Sequence, residues 1–142
     1  MTQQARILSI TVDRPIEVVA AYLSNPLNFP LWASGLADGI APFPEDAGEG
    51  GDSTLWTAQT RRGEVAVRFS QPNAFGVADH WVFPPDGTTV YVPLRAVANG
   101  GGAEVSLTLF QVVGMDQQQF DEDAQLVMRD LNRLKTVLEG SP

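Results

Sequence analysis

From residue 53 to residue 113 the chain reads as five β-favouring stretches, at about 53–60, 64–70, 76–83, 88–98 and 103–113, with very little chain between them. The connections centre on Arg62-Gly63, Pro72-Asn73, Asp86-Gly87 and Asn99-Gly100-Gly101-Gly102, residues that turn the backbone back on itself. Parallel neighbours need a crossover of roughly a dozen residues or more, which none of these gaps supplies. The spacing therefore dictates antiparallel hairpins over this region.

What flanks the hairpins completes the architecture. Arg6 to Asp13 alternates Ile7, Ser9 and Thr11 against Leu8, Ile10 and Val12, as a strand with one buried face does. Pro15 suits a first helical turn, Glu17 follows in that turn, and Val18, Val19, Tyr22 and Leu23 form an apolar stripe. Asn25-Pro26 stops this short helix and starts another, ending before Pro30, Trp32 and the Ser34-Gly35 turn. Residues 36–42 are a weaker strand, and Pro44 to Asp52, with Gly48, Gly50 and Gly51, is its loop. Beyond the hairpins, Asp116 is placed as an N-cap with Gln119 three residues on, and Gly140 marks the end. Between them Phe120, Ala124, Val127, Leu131, Leu134 and Leu138 recur at helical spacing. Asp121 to Asp123 stand near the start, and Arg129, Arg133 and Lys135 nearer the finish, complementing the helix dipole. The order β-α-α-β6-α predicts one α+β domain over residues 1–142. Its fold is a helix-grip: a curved antiparallel sheet of about seven strands around a long C-terminal helix.

Composition narrows the function. Nine Lys plus Arg against seventeen Asp plus Glu leave a net charge of −8, which repels phosphate backbones and anionic lipid. Nucleic acid is therefore not expected as a partner. The absence of cysteine rules out disulfides, thiolate metal sites and cysteine nucleophiles. Met1 to Arg6 has no apolar secretory core, and no apolar run reaches the roughly 18 residues of a membrane span, so the expected location is cytoplasmic. Assembly into a homo-oligomer stays open.

Local sequence adds a family resemblance. Arg14-Pro15-Ile16-Glu17-Val18-Val19, leading to Tyr22-Leu23 and then Asn25-Pro26 through Trp32, resembles the opening of the START-like, or birch-pollen-allergen-like (SRPBCC), superfamily. The likeness is to its bacterial polyketide cyclase/dehydrase and lipid-transport branch. Asp79-His80-Trp81-Val82, Val92-Pro93-Leu94-Arg95, Asp130-Leu131 through Leu134-Lys135, and Leu138-Glu139 are similar to later segments of that branch. The resemblance implies either a carrier of a lipid or other small apolar molecule, or a cyclase, aromatase or dehydratase acting on polyketide-like chains.

The candidate site residues follow from chemistry. His80, the only histidine, is the candidate acid or base; its neighbour Asp79 must point to the opposite face of the same strand. Trp32, Trp56, Phe69, Trp81, Phe110 and Phe120 are candidates to line a ligand cavity, with Phe83 as a further aromatic. Alternation in 88–98 points Val90, Val92, Leu94 and Ala96 inward and leaves Tyr91, Pro93 and Arg95 outside. A cavity wants a polar anchor, however, and a bulge would reverse the parity, which favours an inward Arg95, with Tyr91 beside it. With one histidine, no cysteine and Asp121, Glu122 and Asp123 explained as helix-start charge, no metal site is expected. Nor is a cofactor, since Gly48-Glu49-Gly50-Gly51 lacks the lysine and helix of a phosphate loop. Three functions are compatible with this set: binding of a small hydrophobic or amphipathic ligand in an internal cavity, a polyketide-type cyclase, or a protein-interaction module without a ligand.

Overall fold

The computed structural model describes residues 1–33, 39–43, 54–60 and 63–140. The chain opens with β1 (Ala5–Val12), α1 (Ile16–Ser24), a 3-10 turn (Pro26–Asn28) and α2 (Phe29–Trp32). It continues through β2 (Ile40–Pro42), β3 (Leu55–Thr60), β4 (Gly63–Phe69), β5 (His80–Phe83), β6 (Val90–Val92), β7 (Leu94–Asn99) and β8 (Gly102–Phe110), and ends in α3 (Gln117–Glu139). The Ser34-Gly35 turn, the start of the 36–42 strand and the loop from Pro44 to Asp52 lie outside the described residues. All strand pairs are antiparallel, as the short connections require.

Among the described residues eight strands form where about seven were expected, because the 88–98 stretch is two strands. Pro93 has no N–H to contribute to a ladder, and the chain changes partner there. Before it, Val92 faces His80 of β5; after it, Leu94 faces Leu107 of β8. The 76–83 stretch divides in the same place. Ala78 N–H donates to Leu94 O at 2.8 Å and Ala96 N–H to Gly76 O at 2.9 Å, so residues 76–78 lie along β7. Only from His80 onward does that chain join β4. Two adjacent strands thus pass between sheets at one corner, separating β1-β8-β7 from β2-β3-β4-β5-β6. Gly76 is required at this corner: its φ is +73°, and a Cβ would overlap the Ala96 carbonyl.

Side-chain caps set the 3-10 turn and the start of α3. Asn25 accepts the Leu27 N–H on its side chain at 3.1 Å, starting the 3-10 turn. Pro30 does not end the second helix, as expected, but sits in the first turn of α2, where a missing N–H has no partner to lose. In α3 the Asp116 carboxylate accepts the Gln119 N–H at 2.8 Å, and Gly140 closes the far end at φ +72°. The last carbonyls of α3 are taken from outside the helix: Arg14 Nε donates to Leu138 O at 2.8 Å and Arg14 Nη2 to Glu139 O at 2.7 Å.

Phe120, Ala124, Leu131, Leu134 and Leu138 bury the expected face of α3. Full burial of one leucine is worth about 1.5–3 kcal/mol, against tenths of a kcal/mol per residue from helix propensity, so packing fixes where α3 lies. It lies along β1 and against α2. Val12, Val19, Leu94, Val105, Leu131 and Leu134 are at the sealed centre of the core.

Candidate ligand-binding site

Register sorts the five-stranded sheet into two faces. Trp56 is opposite Val67, Val67 opposite Val82, and Phe69 opposite His80. These side chains and Val65 and Val92 join the interior apolar cluster or touch its members. Sealing is uneven along this face. Val67 and Phe69 are buried, whereas Trp56, Val65, Val82 and Val92 keep partial exposure, as do Leu109, Val127 and Met128 elsewhere in the same cluster. The reason lies in how α3 docks: it packs chiefly on β1 and α2, and no strand of the five-stranded sheet packs against it to a comparable extent. The concave face of that sheet is therefore apolar without being closed.

At the sealed end, four rings meet. Phe29 contacts Trp32, Phe69 and His80 edge-on, with centroid separations of 5.5, 5.4 and 5.0 Å, and Phe69 and His80 are 5.9 Å apart. The structure thus gathers Trp32, Phe69 and His80, with Trp56 on the same face of the sheet. Phe29 was not singled out in the sequence; its place in the Asn25–Trp32 helical pair was the available signal. Phe120, fully buried at the start of α3, carries the Arg6 guanidinium 4.6 Å over its ring, and Arg6 pairs with Asp121.

His80 is 4% exposed, and its Nδ1 lies 3.4 Å from Ala78 O. Burial dominates its acidity and drives the imidazole down to about 4, against opposing contributions from Ala78 and Asp79. At neutral pH it is an uncharged ring among aromatics, and a poor proton acceptor.

Arg95 does not face inward. Its side chain is 54% exposed, because Leu94 and Ala96 keep their parity and fill the core. Tyr91 turns outward with it. Trp81 stacks on Tyr91 at 5.2 Å with planes 16° apart, and Tyr91 on Phe110 at 6.3 Å and 19°. Trp81, Tyr91, Arg95 and Phe110 therefore belong to the outer face and not to the concave one. Asp79 organises them. Its carboxylate accepts the Leu94 N–H at 2.9 Å, the Tyr91 hydroxyl at 2.7 Å and Arg95 Nη2 at 3.0 Å, while its carbonyl accepts the Ser70 N–H and hydroxyl. Burial alone would raise this carboxyl, but the bonds from Arg95, Tyr91 and Leu94 prevail and hold it below the ordinary aspartate range. Asp79 is a staple across the corner where the strands change sheets, a role that its neighbourhood in sequence does not announce. Among the described residues no three His, Asp or Glu side chains gather as a metal site requires.

Known structures share this fold. A START superfamily protein from Mycobacterium smegmatis matches with a TM-score of 0.71 at 10% identity, over 95% of this chain and 97% of that one. Ara h 8.0201 matches at 0.64 and 11%, over 95% and 97%. The chain has the START-like fold. DynU16, from the dynemicin biosynthetic locus, matches at 0.67 and 12%, over 95% of this chain and 47% of its own. No protein-family model matches the chain, and no curated protein matches its sequence. At these identities the START-like likeness concerns backbone, so the chemistry must be argued from the residues themselves.

Proposed function

We propose that the protein binds one small apolar or amphipathic molecule between the concave face of the five-stranded sheet and α3. The observation that supports this is the incomplete sealing of Trp56, Val65, Val82 and Val92, apolar side chains on an inward face that α3 does not close. Leaving such surface wet forfeits about 25 cal/mol per Å², which a bound apolar molecule would recover. Trp32, Phe69, His80 and Phe29 form the floor at one end, Trp56 lines the sheet, and α3, anchored at its start by Phe120, is the roof. The cyclase alternative needs at least two of His80, Tyr91 and Arg95 converging on one substrate inside one pocket. His80 is inside as a neutral ring, while Tyr91 and Arg95 are outside and held by Asp79, so the geometry favours a carrier over a catalyst.

Native mass spectrometry of gently purified protein, together with titration by the neutral dye Nile red, tests the proposal. The expected result is a bound small-molecule adduct, or saturable one-to-one dye binding with a blue-shifted emission that a natural ligand displaces. No adduct and no saturable dye binding would overturn it.

A further inference from the structure

Tyr22 stands on α1, on the side turned away from an open outer groove of about 670 Å³ that Glu17, Ala20, Ala21 and Ser24 line. With Val19 and Leu23 it faces inward, packed against the apolar core. Its hydroxyl is closed off from solvent and has no hydrogen-bond partner among the described residues. A phenylalanine would fill the same space without the cost of desolvating an unpaired hydroxyl. Neither solvent nor a described side chain meets the Tyr22 oxygen, which leaves a molecule enclosed by the fold as its partner.

We infer that Tyr22 is a ligand anchor: the molecule held inside carries a neutral hydrogen-bond acceptor, a carbonyl oxygen, which the Tyr22 hydroxyl donates to. This rests on the proposed interior binding and narrows its ligand class from apolar to apolar with one acceptor. Burial pushes the phenol above its ordinary range, so it stays a protonated donor at neutral pH. A buried apolar setting disfavours a charged acceptor, and the chain's charge of −8 disfavours an anionic ligand further.

The test uses Tyr22→Phe and two probes of similar shape, 2-acetylnaphthalene and 2-ethylnaphthalene, with binding followed by quenching of tryptophan fluorescence. Tyr22→Phe is expected to weaken the ketone about fivefold to tenfold and leave the hydrocarbon unchanged. Without ligand, the variant is expected to be at least as resistant to denaturant as the native protein. Equal effects on both probes would overturn the inference, as would an increase of more than about fivefold in the unfolding constant of the free variant, which would mean that the hydroxyl already has a partner. If neither probe binds the native protein the inference falls, and where Nile red also fails to bind and no adduct is found the interior-binding reading falls with it.

Discussion

His80 titrates far from where a free imidazole does, and that gives the fold a pH dependence of known sign. The unfolded chain takes up this proton near 6.5 and the folded one near 4, so between those values the unfolded state holds more protons. Stability is full above about pH 6.5, falls by about 3 kcal/mol as the pH drops towards 4, and levels off below that as the folded state is protonated too. Because there is one histidine, its ring signals in proton NMR are unambiguous; they should shift with a midpoint near 4, and a midpoint near 6.5 would place the ring in solvent. Asp79 adds a separate window. Its folded value is depressed, so its stabilisation is present above the ordinary aspartate range and is lost as the pH falls through the depressed value. The two members of the Asp79–Arg95 ion pair are unequal. Asp79→Ala strands the buried Leu94 N–H and should cost about 2–4 kcal/mol in denaturant unfolding. Arg95→Ala, at a half-exposed side chain, should cost no more than about 1 kcal/mol.

Elements were legible where local chemistry decides them. Hairpin spacing gave the antiparallel order, and Asp116, Gln119 and Gly140 marked both ends of α3 to within a residue. The corner was not legible, because it depends on which strand each half of 76–83 and 88–98 meets, and periodicity carries no partner information. Pro93 was the one local sign, since a residue without an N–H breaks a ladder. The same limit explains Arg95: alternation gives its outward parity, and β7 pairs with β8 in unbroken register, so no bulge turns it inward. Nor does sequence show that Arg14, just before α1, completes the far end of α3. Arg14→Ala leaves the Leu138 and Glu139 carbonyls without these donors and should cost about 1 kcal/mol, read as a lower thermal midpoint. Arg14→Lys, which cannot reproduce the forked pair, should recover only part of it.

At the scale of the molecule, the START-like fold places a long helix over a concave sheet, and the residues determine whether the space between is filled. The helix leans on β1 and α2, the sealed end is packed with Phe29, Trp32, Phe69 and His80, and the apolar face beyond is left partly open. Val67 and Val82 are cross-strand partners on that face, the first 1% exposed and the second partly open. Denaturant unfolding of Val82→Phe beside Val67→Phe therefore tests whether a ligand space lies between sheet and helix. Val67→Phe should lose about 1–3 kcal/mol by overpacking, while Val82→Phe should stay within about 0.5 kcal/mol of the native protein and weaken Nile red binding. A loss at Val82 as large as that at Val67, with dye binding unchanged, would contradict the existence of a ligand space there.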